Sequence, residues 1–467
     1  MAKYQTLASD VRVDFLELIT PLQVFDLKPI FVSMNIYEDM FGDSLTVDIL
    51  INDSINLPYH GPILGEEYLN FEISTKSIET EKGVSLLPGP MYTVSITNRH
   101  ITKDRQQLYM LHFTSEQDIV NSNTTLSRSF RNKKISTIVT EILDIHLGSD
   151  NTQDIEETKG LENIVIPNWK PFKAINWLAK RAINNNDVAN YLFWETIDYT
   201  HFISLDKILS RDIVQKFVLN TISSDSKKQD AAAAGFMELD SLGIVSQFNI
   251  TRNIKNGYYS SKLITHDIIK KSIKQNNLSL TSLYTDEINH TDEYMPISTS
   301  EPYYSDMVDD RVNFAPQGLG INEGNNIQSF SDSKIIFYPK HDKLYSSVSS
   351  ESYNNNVEQW LLQRNSLIQG LNQIKLIITF PGISYLRTGD KVSITVPSPE
   401  RVIEQKAGKI KDPEKLNDKY LSGVYLITSL KHTIDYNSGS PKYSMTAELT
   451  KDALGDIPSY GGIKDES

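Results

Sequence analysis

The sequence contains no cysteine, no long apolar run and no concentration of positive charge. Without cysteine, its 467 residues cannot form a disulfide framework, a thiolate metal site or a cysteine nucleophile. No stretch approaches the ~20 apolar residues that cross a bilayer, and no apolar run follows Lys3 near the start. We therefore expect a protein that is neither embedded in a membrane nor exported by a signal peptide.

Basic residues are outnumbered and scattered along the chain. There are 46 Lys and Arg against 59 Asp and Glu, which gives a net charge of −13 at pH 7. Proteins that bind nucleic acid tightly normally concentrate positive charge on one surface. Stable DNA binding is therefore not expected, whereas repulsion of DNA is compatible with this charge.

Patterns typical of metal and catalytic sites are also missing. No two histidines have the i, i+4 spacing that places two ligands on one helix face. The histidines are His60, His100, His112, His146, His201, His266, His290, His341 and His432. A carboxylate pair such as Asp39 with Asp43, or Glu195 with Asp198, has the chemistry of a glycoside hydrolase. Among 59 acidic residues such neighbours arise by chance, so we expect no catalytic residue, no metal and no cofactor.

Residues 1–114 are dominated by short strand patterns with turn signals between them. In one strand the alternating apolar residues share a face, as a half-buried strand requires. These residues are Leu45, Val47, Ile49 and Ile51. Similar runs lie at Tyr68–Thr75, Met91–Asn98 and Gln107–Phe113. We predict an antiparallel β domain over residues 1–114, with residues 236–270 as its candidate completion.

Residues 115–225 are predicted to form a small α+β module, because the apolar period changes from two to 3.6. A helical stripe runs from Lys134 to Leu147, and Gly148 marks its end. Pro171 occupies the first turn of a second helix. Strand-like segments accompany the helices at Asn163–Pro167 and Tyr191–Thr196.

Residues 226–356 are predicted to hold a linker, return strands and a polar loop region. The small, polar stretch 223–235 lacks an apolar face and indicates a linker. From about 272 to 356 the chain is rich in Ser, Asn, Asp and Tyr, which favours long loops that order against a partner. The tyrosines here are either interface anchors or ordinary strand and loop residues. They are Tyr258, Tyr259, Tyr284, Tyr294, Tyr303 and Tyr304.

Residues 357–467 are predicted to form a helix followed by a second β domain. The helix lies near Val357–Leu371 and a charged insert near 404–419. Strand patterns follow the helix at Ile374–Phe380, Lys391–Val396, Gly423–Leu430 and Tyr443–Thr450. Gly382 and Gly389 bracket a turn and match no phosphate-binding glycine pattern. The fold class is therefore α+β, mainly β: two antiparallel β-barrel or sandwich domains with a small α+β module between them.

The second β domain contains an ordered set of motifs. A Gly-Asp turn leads into a strand. A second strand follows that begins with Gly-x-Tyr-Leu-Ile and contains a His, and the last strand ends at an Asp. The residues are Gly382, Gly389, Asp390, Gly423, Tyr425, His432, Tyr443 and Asp452. This order resembles the tube-type domain of the baseplate central hub proteins of contractile-tailed bacteriophages, the tail hub and type VI spike-base family. Residues 16–19, 36–45 and 57–66 resemble the first tube domain of that family.

The resemblance implies a structural, non-enzymatic subunit of the virion, located in the tail baseplate and assembled in the host cytoplasm. A homotrimer with two tube-like domains per chain offers six similar positions around one axis. Such a ring would join the hexameric tail tube to the central spike and let DNA pass as cargo. The implied partners are the tail tube protein, the central spike protein and baseplate wedge or other hub proteins. No cofactor and no integral membrane association are implied.

Three alternatives stay open at this point. Within the same class, the chain could be the spike-base component of a tailocin or a type VI-like contractile injection system. From another class, it could be a tail-associated cell-wall hydrolase, but only residues 272–356 remain for a catalytic domain and their composition suits one poorly. A host-receptor adhesin would need a repeated or exposed distal domain, which the sequence does not indicate.

Overall fold

A computed structural model gives the structure of the chain and confirms the α+β, mainly β fold class. It describes residues 9, 11–74, 86, 89–101, 106–148, 151–219, 238–268, 270–285, 287–296, 331–339, 356–357, 359–398, 417–436 and 441–455. The predicted linker 223–235, most of the charged insert, Tyr303 and Tyr304 lie outside these residues.

The first β module contains seven strands and one short helix in the described part of the chain. They are β1 Arg12–Ile19, β2 Val24–Asp26, β3 Phe31–Asp39, β4 Thr46–Asp53, α1 Leu57–His60, β5 Tyr68–Ser74, β6 Met91–Ile101 and β7 Gln107–Ser115. The strands lie in the antiparallel order β3-β4-β7-β6-β5-β1. The predicted apolar face of β4 is buried, from Val47 to Ile51, because every second side chain points into the core.

The α+β module follows. Its elements are α2 Glu116–Asn123, β8 Leu126–Lys133, α3 Ile135–Ile142, β9 Thr152–Ile155, β10 Glu162–Trp169, α4 Pro171–Ala179, β11 Tyr191–Glu195, β12 Tyr199–Ser204 and α5 Leu205–Leu209. Helix α3 continues as a π-helical turn over Leu143–Leu147. Gly148 ends it with φ +57°, a left-handed conformation that glycine adopts without strain. The two predicted helices, α3 and α4, pack on one apolar core with β8, β10 and β11.

The chain between residues 213 and 370 supplies two outer strands and a small separate sheet. Its elements are β13 Ile213–Val218, β14 Ser241–Ser246, α6 Ile250–Asn256, β15 Ser260–Asp267, β16 Ser272–Ser279, β17 Ile335–Pro339 and α7 Arg364–Gly370. Strands β16, β15 and β17 form a three-stranded sheet. A π-helical turn at Gln359–Gln363 precedes α7, within the predicted helix 357–371.

The second β module is completed by the last four described strands. They are β18 Ile374–Pro381, β19 Lys391–Thr395, β20 Gly423–Asp435 and β21 Lys442–Lys451. Together with the two outer strands they lie in the order β14-β18-β21-β20-β19-β13. The cores of both β modules merge into one cluster of buried apolar side chains.

Two expectations for the middle of the chain need correction. Residues 236–270 do not complete the first β module: β14 pairs with β18, and β15 pairs with β16 and β17. The predicted loop region 272–356 contains strands β16 and β17. Strand β16 is mostly polar and solvent-exposed, so backbone hydrogen bonds to β15 hold it rather than an apolar face that a sequence pattern could reveal.

A helix also lies where only strands were expected. The side chain of Asn249 accepts a hydrogen bond from the Arg252 amide and caps the start of α6. Gly257, with φ +74°, ends the helix. With only two turns and one buried residue, this helix has too short an apolar stripe to show a helical period in the sequence.

Candidate assembly interface

The two β modules repeat one arrangement of five strands. In the first module the order is β3-β4-β7-β6-β5, and in the second it is β14-β18-β21-β20-β19. All four neighbouring pairs are antiparallel in both modules. A sixth strand extends each set, antiparallel for β1 on β5 and parallel for β13 on β19. The second module is therefore a structural duplicate of the first over these five strands.

One irregularity of the strands matches as well as their order. In β6 the register shifts at Val94, after which Ile96 pairs with Leu111 of β7. In β20 the register shifts at Thr428, after which Leu430 pairs with Ala447 of β21. A bulge re-aims the residues that follow it, so its position fixes which residues correspond. Val94 therefore corresponds to Thr428.

The Gly-Asp turn singled out in the sequence has a counterpart in the first module. A carboxylate oxygen of Asp390 accepts a hydrogen bond from the Arg387 amide at 2.9 Å. In the same way Glu67 accepts from the Leu64 amide at 2.7 Å. Both acidic residues immediately precede the strand that pairs with the bulged strand, β19 with β20 and β5 with β6. Gly389 has φ +91° in this turn, a conformation that favours glycine.

The modules are joined edge to edge by strands β3 and β20. Seven consecutive residue pairs connect them, from Ser429 with Asp39 to Asp435 with Ser33. Thr433 donates a hydrogen bond to Asn35 across the joint at 3.0 Å. The joint turns both modules into one continuous sheet.

A buried polar cluster lies beside this joint and ties three parts of the chain together. Glu38, on β3, accepts hydrogen bonds from the backbone amides of Thr388 at 3.0 Å and Ile197 at 3.1 Å. The Arg387 guanidinium lies 3.6 Å from Glu38 and donates to Asp198 at 2.7 Å. The first β module, the α+β module and the second β module therefore meet at one ionic contact.

The electrostatics of the cluster depend on Arg387. Complete burial raises the pKa of Glu38, because the charged carboxylate loses its hydration, and Arg387 with the two amide donors opposes that shift. Arg387 also donates to the carbonyl oxygens of Ser384 and Leu386, at 2.6 and 2.9 Å. The guanidinium is thus held in place by the turn that precedes β19.

The α+β module is attached to the first β module through a second buried carboxylate. Glu195, at the end of β11, accepts from the Leu45 amide at 3.1 Å and from the side chain of Asn151 at 2.9 Å. Burial raises the pKa of Glu195 to about 7. Asp43 accepts a hydrogen bond from Asn176 at 2.7 Å across the same contact.

The carboxylates considered as catalytic pairs each have a separate structural partner. Asp39 accepts from the Phe41 amide at 2.9 Å, while Asp43 contacts Asn176. Glu195 binds the first β module, whereas Asp198 binds Arg387. Their contacts hold loops and modules in place.

His432, Tyr443 and Gly382 form a contact inside the second module. A ring nitrogen of His432 lies 2.7 Å from the Tyr443 hydroxyl, and both side chains are buried. Burial lowers the pKa of His432 well below its usual value. A side chain on Gly382 would place a Cβ only 2.0 Å from a ring carbon of Tyr443. The glycine is required because the backbone lies directly on the tyrosine ring.

Asp452 fixes the end of the last strand. Its carboxylate lies 2.7 Å from a ring nitrogen of His290 and accepts from the Thr291 amide at 3.0 Å. The His290 ring stacks on Tyr284, whose hydroxyl donates to the Asp452 carbonyl at 2.8 Å. Because Tyr258 and Tyr259 are also buried in this region, these tyrosines pack the interior and are not exposed interface anchors.

Gly423 and Tyr425 lie at the start of β20. A Cβ on Gly423 would be 2.4 Å from a carboxylate oxygen of Asp292, so the backbone there touches that carboxylate. Tyr425 donates to the Leu421 carbonyl at 2.6 Å, and the Lys451 ammonium lies 4.9 Å from its ring. The motif residues of the second module are thus packing and turn positions spread over the domain.

The described part of the chain brings no three His, Asp or Glu side chains into an arrangement that could hold a metal ion. No helix among the described residues has the length and apolar character needed to span a membrane. A cavity of about 10 Å³ beside Tyr258, His290 and Asp452 has space for one water molecule.

The duplicated modules, their edge-to-edge joint and the buried ionic cluster define a mainly β protein built on one continuous sheet. No family model matches the sequence, and no curated protein matches it. A solved structure does share the fold. A tail protein from Neisseria meningitidis superimposes with a TM-score of 0.53 at 9% identity, over 96% of this chain and 99% of the other.

Two further solved structures are similar over most of their length. A 43 kDa tail protein of prophage MuSo2 from Shewanella oneidensis has a TM-score of 0.48 at 10% identity, covering 95% of this chain and 100% of the other. An E. coli component of the type VI secretion system, itself similar to two tail proteins of bacteriophage T4, has a TM-score of 0.41 at 8% identity, covering 96% and 79%. The likeness to the Neisseria tail protein confirms the predicted resemblance at the level of the fold.

Proposed function

We propose that the chain is a structural subunit of the central hub of a contractile phage tail baseplate. Three copies form a ring that presents six similar β modules, joins the hexameric tail tube to the central spike and lets DNA pass. The observation that carries the proposal is the duplication of one five-strand arrangement within a chain, with the two copies joined edge to edge.

The duplication supports the proposal through symmetry. A closed ring repeats one type of interface between neighbours. When one chain supplies two similar modules, three chains provide six similar positions, so a threefold spike and a sixfold tube can share one axis. The joint between β3 and β20 already provides one such contact inside each chain.

The outer face of the continuous sheet suits a channel for DNA. Asn35, Thr433 and Thr446 lie on this face, opposite the buried core residues. Several charged side chains on the face have partners: Lys375 contacts Glu448 at 2.9 Å, Asp48 contacts His112 at 2.5 Å, and Lys431 lies over the Tyr37 ring. Paired charges leave little net positive field to hold a polyanion. DNA would therefore slide through as cargo.

The remaining parts of the proposal follow from this role. The subunit belongs to the virion, in the tail baseplate, and is assembled in the host cytoplasm. Its partners are the tail tube protein, the central spike protein and wedge or other hub proteins. Function resides in interfaces, with no catalytic residue and no cofactor.

The test is the mass of the purified protein by light scattering, followed by class averages from negative-stain electron microscopy. A mass of three chains of 53.0 kDa, seen as a ring with a central channel, would support the hub. A compact monomer at micromolar concentration would contradict it, and cell-wall hydrolysis assays would then come first.

A further inference from the structure

Strand β14 lies at one end of the continuous sheet, and one of its two edges has no partner among the described residues. Among the described residues β14 pairs with β18 alone. Ile244 on this strand is 49% exposed, whereas Ile36, the corresponding residue of β3, is 0% exposed. The difference arises because β20 covers β3 while nothing in the described part of the chain covers β14. Val245 and Phe248 extend the exposed apolar edge.

The second half of strand β6 also has an exposed edge. Strand β6 corresponds to β20, as β14 corresponds to β3, so the two exposed edges match the two sides of the β3–β20 joint. Strand β5 pairs with β6 only at Met91 and Tyr92, so the described residues beyond Val94 have β7 as their single neighbour. Val94 is 57% exposed, while the corresponding Thr428 of β20 is 0% exposed. Thr428 is buried beside the joint that β20 makes with β3. Among the described residues no strand forms an equivalent joint beside Val94.

We infer that β14 of one copy pairs antiparallel with the second half of β6 of the next copy, in the geometry of the β3–β20 joint. The inference rests on the proposed trimeric ring and names its interface. In this arrangement each chain keeps its internal joint, contributes the β14 edge to one neighbour and contributes the β6 edge to the other. Three copies then bury the exposed edges of β14 and β6, which would otherwise be open to aggregation.

The duplication also fixes the register of the pair. Inside the chain, Tyr37 of β3 faces Lys431 of β20. Through one residue of β4, Tyr37 is aligned with Thr114 of β7. Through one residue of β18, Ser246 is aligned with Thr450 of β21. Thr114 and Thr450 occupy matching positions in the two modules, so Tyr37 corresponds to Ser246. Lys431 lies three residues after the bulge residue of β20, as Thr97 does in β6. Ser246 of one copy should therefore face Thr97 of the next.

Disulfide trapping tests this register, since the natural chain has no cysteine and every cross-link reports an engineered pair. Facing residues of antiparallel strands have Cα atoms about 4.5–5.5 Å apart, within the range that a disulfide spans. The test variant combines Ser246→Cys with Thr97→Cys in the full chain. Tyr37→Cys with Lys431→Cys is the matched positive control, because it probes the same geometry within one chain. Ser246→Cys with Thr46→Cys, two strands farther away, is the negative control.

The expected result is a covalent species of three chains on a non-reducing gel for the test variant, with the Ser246–Thr97 disulfide identified by mass spectrometry. The positive control should give an intrachain disulfide and the negative control no cross-linked species. A trimer by light scattering without this cross-link, while the positive control forms, would overturn the joint and leave the ring intact. A monomer without cross-links would contradict both the ring and the joint.

A second variant tests the same joint without introducing cysteines at the strand edge. Ile244→Lys places a charge on the proposed joint at a residue that is half exposed in the single chain. We expect at least a tenfold weaker association, measured as the concentration dependence of the mass, with an unchanged melting temperature of the dissociated chain. Ile273→Lys, on the exposed strand β16, is the matched control and should leave association unchanged. Equal association of both variants would overturn the joint.

Discussion

Buried charges decide how the modules of this chain hold together. Glu38 and Arg387 lie far apart in sequence, yet they meet at the point where three modules touch. A buried ion pair contributes little compared with an apolar substitute, but removing one partner leaves an uncompensated charge. The cluster therefore specifies one arrangement of the modules more than it adds stability.

The first prediction concerns this cluster. Arg387→Ala should lower the free energy of unfolding by about 3–5 kcal/mol, because Glu38 would stay buried without a counter-charge. Urea unfolding measures the effect. Lys159→Ala is the control, since its ion pair with Asp187 is solvent-exposed and should contribute at most about 1 kcal/mol. Adding Glu38→Gln to Arg387→Ala should recover part of the loss. A loss below that of the control would contradict the role of Arg387.

The second prediction concerns Glu195. Burial raises the pKa of its carboxyl from 4.5 to about 7. Between these values the folded protein binds a proton that the unfolded chain releases, so stability falls as pH rises. Relative to Glu195→Gln, the natural protein should lose roughly 3 kcal/mol between about pH 4.5 and pH 7. Urea unfolding of both proteins across this range measures the difference.

The control for Glu195 is Glu157→Gln. Glu157 is exposed, and Lys134 lowers the pKa of its carboxyl, so its titration falls below this pH range. Its stability difference from the natural protein should be constant between pH 5 and pH 7. A constant difference for Glu195→Gln as well would show that the carboxylate remains charged in the fold.

At the scale of elements, strands meet through close backbone contacts as well as through hydrogen bonds. The turn after β18 lies directly on the Tyr443 ring of β21, and His432 of β20 fixes that ring. Three strands of the second module are therefore locked by one aromatic side chain. The glycine at this contact has a packing role that a turn signal in the sequence does not distinguish.

The third prediction tests that contact. Gly382→Ala should destabilise the protein by about 1–3 kcal/mol, because the new Cβ would overlap the Tyr443 ring, which is buried and in contact with His432. Thermal unfolding measures the loss. Gly89→Ala is the control: nothing lies within 4 Å of its Cβ position, and its effect should stay within about 0.5 kcal/mol. Equal melting temperatures for the two variants would mean that the ring adapts.

At the scale of the whole molecule, the two β modules behave as one body. Their apolar cores form one cluster that includes Val47 and Tyr109 of the first module and Tyr425 and Leu449 of the second. The small sheet of β15, β16 and β17 packs on other, smaller clusters. Regions that share a core open together, whereas regions with fewer buried contacts open first.

The fourth prediction follows from this shared core. In hydrogen exchange monitored by mass spectrometry, peptides from β4 and β21 should lose protection at the same urea concentration. Peptides from β15 and β16 should lose protection at a lower one. Separate transitions for β4 and β21 would show that the joint between β3 and β20 does not couple the modules.

The sequence by itself determined the elements whose signals are local. Alternation of apolar residues predicted β4, the 3.6-residue period predicted α3 and α4, and the Gly-Asp pair predicted the turn before β19. Each of these signals comes from side chains a few residues apart on one face of one element. The likeness to tail hub proteins came from the order of such signals, and the fold agrees with it.

Only the tertiary structure decided which strands are neighbours. Strand β14 pairs with β18 although more than a hundred residues separate them, and β3 pairs with β20 across most of the chain. Alternation of apolar and polar residues indicates that a strand has a buried face, but every strand edge offers the same backbone hydrogen-bond donors and acceptors. The choice among edges depends on how whole modules pack. For that reason the ionic cluster of Glu38 and Arg387 and the exposed edges of β14 and β6 were visible only in the folded chain.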